Sequence, residues 1–420
     1  MDLFDPCYAF HDADLLKAAG LFPYFRPLSS SEGPTATVEG RRVVMMGSND
    51  YLGLTHHPEV MQAAHDAIQR FGTGCTGSRF LNGNLDLHEA LERELAEFTG
   101  KDAALVFASG FLANLGVIGI LGSAKDAVLF SEADNHASLM DGARMARASR
   151  SRVFKGLDDL ARQLQAREEW PNALVIIDGV FSMTGREADL RGIAALKQRY
   201  RFRLYVDDAH GIGVLGPGGR GTAAAQGVTD DVDVLFGTFS KSFASLGGFV
   251  AADAAVINYL RYRTRTQIFS AALPPASAAA ALASLRVLRR DGVLLERLWD
   301  NVTYFRDGVQ RLGYQTMGST TPIVPLFVGS ETLAFTLCLE AEAMGLFVTP
   351  AVYPAVPAGH ALIRTSVTPA HSRDHLDTAL GVLADLAKRH AIPNVDPATI
   401  PPAREMDFQA ALKAREAGQA

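Results

Sequence analysis

The segment GTFSKSFASLGGF (237–249) sets one lysine, Lys241, among the hydroxyls of Thr238, Ser240 and Ser242, directly after the apolar run VDVLF. A primary amine condenses with an aldehyde and clustered hydroxyls donate to a phosphate, so these residues suit a phosphorylated aldehyde. Junctions at the carboxyl edge of a parallel sheet are where α/β enzymes place ligands. On its own, an SK dipeptide in a Gly/Ser-rich loop reads as a solvated surface lysine; the rest of the chain argues otherwise. A second segment, LYVDDAHGIGVLG (204–216), ends an apolar run in Asp207, Asp208 and His210 before a series of glycines. A carboxylate at that edge keeps a pyridine nitrogen protonated and makes the ring a stronger electron sink. The competing reading is a metal site built from the same two acids and the histidine. Gly110 and Phe111 stand where an apolar run turns into a helical pattern, and the free N–H groups of a helix start attract a phosphate without a charged side chain.

Alternating elements must position these groups. β-rich runs at 103–109, 127–132, 173–179, 203–209 and 233–239 alternate with helical patterns such as 88–98 and 189–200, which predicts a mostly parallel sheet covered by helices. The uncharged stretch 103–124 is long enough to cross a bilayer. It is interrupted by Gly110, Gly116, Gly119 and Gly122, with Ser109 and Asn114 at its centre, so it reads as a buried strand, a turn and a buried helix. After Pro274-Pro275, an alanine-rich run and a helical pattern to about Leu312 lead into a second unit. That unit has expected strands near 322–328 and 361–367 and helices at 331–344 and 373–388. The implied division is an N-terminal arm (1–55), a large ligand-binding domain (56–295), a smaller C-terminal α/β domain (296–393) and a surface tail (394–420), proline-containing and then helical in pattern. The stretch VTPAVYPAVPAGH (348–360) is expected as a lid or tunnel wall, or as a loop crossing between domains.

With 420 residues, 48% of them hydrophobic, the chain can bury substantial cores. A net charge of −6 argues against a nucleic-acid binder. Cys7, Cys75 and Cys338 are too few and too scattered for a disulfide framework or a CxxC metal site, which fits a reducing, cytoplasmic setting. The acidic start MDLFDPCYAF does not read as an export signal.

Taken in order, SNDYLGL (48–54), GSRFLNG (77–83), SGFLANLG (109–116), NHASLMDG (135–142), DGVFSMTGR (178–186), VDDAHGIGVLG (206–216) and the Lys241 segment resemble the α-oxoamine synthases, from about Phe22 to about Ala391. These belong to the aspartate-aminotransferase fold type (fold type I) of pyridoxal-phosphate enzymes. The resemblance implies a large domain with a mostly parallel sheet plus a smaller C-terminal α/β domain. It implies a decarboxylative condensation of an amino acid with an acyl thioester, the cofactor pyridoxal 5'-phosphate, and a homodimer with a shared active site.

By the same resemblance, Lys241 carries the cofactor as a Schiff base, Asp207 partners the pyridine nitrogen, His210 contacts the phenolic oxygen and His136 stacks on the ring. The amides of Gly110 and Phe111 hold the phosphate, with Thr238 and Ser240 in support and Ser182 as a cofactor-side hydroxyl. Ser270, in IFSAALPP (268–275), reaches the phosphate of a neighbouring subunit. Arg364 receives the amino-acid carboxylate, a bidentate task suited to a guanidinium, with Asn49 as a second contact.

Within the family, the segment 21–54 together with GSRFLNG resembles serine palmitoyltransferase-type members, which implies L-serine plus a long-chain acyl thioester giving 3-ketosphinganine. The donor is coenzyme A or an acyl carrier protein, with at most peripheral membrane contact. Also open are an 8-amino-7-oxononanoate synthase using alanine and pimeloyl thioester, a glycine-using member and a carrier-protein-dependent synthase of secondary metabolism. From outside that chemistry come a plain aminotransferase and a catalytically silent subunit, the latter at odds with the intact Lys241.

Overall fold

The computed structural model describes residues 2–148 and 150–403. The helical pattern expected late in the tail falls in 404–420, outside the described residues. At the centre is a seven-stranded sheet in the order Ala103–Phe107, Gly248–Ala252, Val234–Thr238, Arg203–Asp207, Ala173–Asp178, Val128–Glu132, Arg150–Phe154. Strands such as ALVIID and VLFSE are buried at every residue, as expected where helices cover both faces of a sheet.

Two of these strands were not foreseen. Arg150–Phe154 is a polar, largely exposed edge strand, so no apolar run announced it. Gly248–Ala252 runs antiparallel to both neighbours. The linker 239–247 that carries Lys241 is shorter than the roughly a dozen residues a parallel crossover needs, so the chain can only turn straight back.

The apolar stretch resolves into the strand Ala103–Phe107 and the helix Gly110–Leu121. Among the described residues, no helix is long and apolar enough to cross a membrane. The alanine-rich run and the pattern after it form two helices, Pro275–Arg290 and Val293–Arg311. Beyond them lies a three-stranded antiparallel sheet, Ile323–Gly329, Ala361–Ser366 and Thr349–Ala351, with helices Glu331–Ala343 and Arg373–Arg389. The start of the stretch 348–360 is therefore an edge strand.

The N-terminal strands Leu28–Ser31, Thr35–Val38 and Arg41–Met45 are joined by Leu346–Phe347, which pairs parallel to the third. Arg26 adds a bidentate pair to Glu342, at 2.7 and 3.0 Å. The SNDYLGL loop leaves this sheet wound about Asp50, whose carboxylate accepts from the Leu54 N–H at 3.0 Å and the Thr55 hydroxyl at 2.5 Å. Gly53 sits at φ +64°, and a Cβ there would lie 2.8 Å from the Cβ of Ala370. The loop is thus pressed against the segment that follows Arg364.

Candidate active site

At the carboxyl edge of the large sheet, a cavity of about 290 Å3 gathers Lys241, Asp207, His136, His210, Ser182, Thr238, Ser240, Gly110 and Phe111. Nine of the twelve expected site residues therefore meet in one place within a single chain. Arg364 borders the cavity through Ser182 and through Tyr51, which contacts His210. Asn49 lies with Lys241 on an adjoining open recess of about 550 Å3. Ser270 is not in this cavity; it lines a separate recess with Arg79, His88 and Gln267.

Asp207 ends its strand and is buried. Its Oδ2 accepts from Asn114 Nδ2 at 2.6 Å and its Oδ1 from the Ala209 N–H at 3.0 Å. Burial pushes its carboxyl above the ordinary range, and the Lys241 cation pulls it back. Asp178 stands opposite Asp207 in register on the next strand. Its carboxyl is held well above the usual range, first by burial and then by Asp207, because adjacent buried carboxylates resist double ionisation. Asp178 was not singled out in the sequence; the acid that closes the run ALVIID was the available signal. The Lys241 amine is drawn down to about 8 by burial, against the upward pull of Asp207 and Asp178. A usable fraction is therefore unprotonated near neutral pH, as a general base requires.

His136 caps the helix Ala137–Met145, accepting from the Ser138 N–H at 3.3 Å, with the Phe111 ring edge-on at 6.4 Å. Burial lowers its pKa. His210 Nδ1 is 2.7 Å from the Tyr51 hydroxyl. Burial, then Lys241 and Arg364, hold this imidazole well below its ordinary value, so it is neutral.

Tyr51, fully buried, was also missed as a site residue, although SNDYLGL had been marked. Its hydroxyl accepts from Arg364 Nη2 at 3.0 Å and lies 3.1 Å from Asn49 Oδ1. Arg364 further donates from Nε to the Ser182 carbonyl at 2.8 Å and from Nη1 to Ser366 Oγ at 3.3 Å. Among the described residues it has no carboxylate partner. Of the five guanidinium N–H groups roughly two remain, one on each terminal nitrogen, and that is the fork a free carboxylate takes.

The first turn of Gly110–Leu121 leaves backbone N–H groups without intrahelical acceptors. Beside it, Thr238 Oγ1 lies 2.9 Å from Ser240 Oγ. A Cβ on Gly110 would come within 3.1 Å of Thr238 Oγ1, and one on Gly248 within 2.8 Å of the Gly110 Cα. Small residues thus keep open a cradle of N–H and O–H donors, which fits a phosphate. Asp208, grouped with Asp207 and His210 in the metal reading, turns away. It accepts from the Thr222 N–H and hydroxyl, both at 2.6 Å, and burial raises it to about 7. The three residues do not converge, whereas the amine, the buried carboxylate and the donor cradle suit pyridoxal phosphate.

Comparison with known proteins agrees. The family model for class I and II aminotransferases matches residues 41–383. A serine palmitoyltransferase of Bacteriovorax stolpii is 44% identical, over 91% of this chain and 91% of its own. An 8-amino-7-oxononanoate synthase of Thermoanaerobacter pseudethanolicus is 40% identical, over 90% and 98% respectively. The solved serine palmitoyltransferase of S. paucimobilis with bound pyridoxal phosphate–myriocin has a TM-score of 0.88 at 33% identity, covering 93% of this chain and 99% of that one. The chain therefore belongs to the class I and II aminotransferase family, with the fold type I architecture, and is a pyridoxal-phosphate-dependent acyltransferase of the α-oxoamine synthase group.

Proposed function

We propose that the protein condenses L-serine with a long-chain acyl thioester, with loss of carbon dioxide, to give 3-ketosphinganine. The observation that carries this reading is Arg364, held by three neutral partners with its terminal N–H fork unpaired, close enough to Lys241 to lower the lysine's pKa. An amino acid bound there by its carboxylate presents its α carbon to the lysine. The likeness to serine palmitoyltransferases over nine-tenths of the chain supports serine and a long acyl chain.

Pyridoxal phosphate, when bound, supplies an aldehyde for amines and a ring that draws off the electron pair left at the α carbon. We assign its phosphate to the helix-start amides of Gly110 and Phe111 with Thr238 and Ser240, its ring nitrogen to Asp207, its ring face to His136, its phenolic oxygen to His210 and its flank to Ser182. Arg364 and Asn49 orient the amino acid, and Lys241 takes the α proton and later returns one. The new carbon–carbon bond forms as the thiol departs, and the amino-acid carboxyl leaves as carbon dioxide. We further assign the protein to the cytoplasm as a homodimer in which Ser270 serves the neighbouring subunit's phosphate, with coenzyme A or an acyl carrier protein presenting the acyl group.

The similarity to 8-amino-7-oxononanoate synthases favours a second reading, alanine with a pimeloyl thioester. A panel of glycine, alanine and serine against short and long acyl thioesters, read by thiol release and product mass, separates the two. Serine with palmitoyl thioester is the expected best pair. Preference for alanine and pimeloyl thioester selects the second reading, and keto-acid formation without thiol release overturns both.

A further inference from the structure

The helix Gly110–Leu121 is apolar on every side except at Asn114, which is 1% exposed. Each polar group of its amide is engaged. One N–H goes to Asp207 Oδ2 at 2.6 Å, the other to Ser138 Oγ at 2.9 Å, and the carbonyl accepts from the Tyr205 hydroxyl at 2.6 Å. Tyr205 and Ser138 are as deeply buried as Asn114. The facing carboxylate requires the NH2 end, so the amide has only one orientation.

The chain of donors continues to His136. The Ser138 backbone N–H points at His136 Nδ1, and a backbone N–H can only donate. In the neutral imidazole Nδ1 is therefore the acceptor and Nε2 carries the proton. Ser138 Oγ, 2.7 Å from the same Nδ1, spends its own proton there and has a lone pair for Asn114. A leucine at 114 would suit the helix, but it would strand the Tyr205 hydroxyl and remove a donor from both Asp207 and Ser138.

We infer that Asn114 is a positioning residue: one buried amide aims the Asp207 carboxylate and, through Ser138, holds His136 in its Nε2–H form, so that two walls of the cavity are set as a unit. The importance of those walls rests on the cofactor assignments above; the coupling between them does not.

The test uses the full-length protein with 15N-labelled imidazoles, cofactor removed and then restored. His136 signals are assigned by their loss in His136→Gln. In the cofactor-free protein we expect an acceptor-type Nδ1 and a protonated Nε2. Ser138→Ala keeps the long 3.3 Å backbone N–H contact and removes the 2.7 Å hydroxyl contact, so we expect both signals to move part of the way toward the values of an averaged imidazole. Signals unchanged by Ser138→Ala overturn the inference.

In Asn114→Ala we expect the dissociation constant for pyridoxal phosphate, from equilibrium dialysis, to rise about 10- to 100-fold, the loss of one hydrogen bond to a charged group. An unchanged constant in a variant with wild-type circular dichroism also overturns it. Should Asn114→Ala fail to fold, the Ser138→Ala spectrum decides alone. A wild-type protein that binds no pyridoxal phosphate sinks the assigned function instead, while the imidazole signals still judge the coupling.

Discussion

Asp207 and His136 stand on elements of one sheet layer and are tied together by a buried amide, whereas Arg364 is fixed by groups from distant parts of the chain. Tyr51 comes from the N-terminal loop and the Ser182 carbonyl from the turn after the large-sheet strand Ala173–Asp178, while Ser366 lies on Arg364's own strand in the C-terminal sheet. The first region is a wall completed inside a single core. The second is a corner that exists only when the N-terminal strands, the large sheet and the C-terminal sheet are packed together. A wall of this kind suits a resident cofactor, and a corner of this kind suits a substrate that must be admitted and released.

The sharpest way to break the contrast is at the wall. Lys241→Ala should lower kcat about 10^2- to 10^4-fold, the usual cost of losing a general base. It should also abolish the cofactor mass that borohydride fixes to the protein; an adduct that persists would place the cofactor elsewhere. Asp207→Ala should cost about 10^2- to 10^3-fold in kcat, as for a lost preorganised electrostatic partner. Steady-state turnover checks it, and unchanged turnover would remove Asp207 from the wall.

The corner should answer differently. Arg364→Lys keeps the charge but loses the fork, so KM for the amino acid should rise about 10- to 100-fold with cofactor affinity unchanged. A matching loss of cofactor affinity would merge the two regions into one. Tyr51→Phe removes one neutral hydroxyl, and KM should rise only about two- to tenfold, measured in the same assay.

The smallest effect on turnover is expected at Asp208, which belongs to neither region. Its carboxyl is raised from an ordinary 3.8 to about 7, so folding favours the protonated form. That contribution is intact at low pH and is lost as pH climbs from about 4 through 7. Asp208→Asn, which stays neutral, should therefore gain in Tm over wild type as pH rises from 5 to 8. A constant difference across that range would contradict the raised value.

The wall is largely legible in the sequence. Its residues lie at the ends of apolar runs, and burial of a strand is written in the run itself, so the positions of Lys241, Asp207, His210 and the helix start at Gly110 show in local pattern, while their roles come from the resemblance carried by the ordered motifs. The run SGFLANLG even carried the clue to Asn114, a polar residue where the pattern had no use for one. Asp178 shows the limit: its acid is visible, but its place beside Asp207 depends on strand order, which no local run encodes.

Composition, periodicity and motif spacing by themselves determined that this chain is an α/β protein with a lysine, an acid and a helix start at the ends of apolar runs. Those properties depend on neighbours in sequence and on whether a segment is buried. Only the tertiary structure decided that Gly248–Ala252 pairs between Ala103–Phe107 and Val234–Thr238, that Asp208 faces Thr222 and not the cavity, and that Tyr51 links His210 to Arg364 across more than 300 residues. Hydrogen bonds are made or lost within a few tenths of an ångström, and separations that fine between remote segments are set by the packing of whole layers.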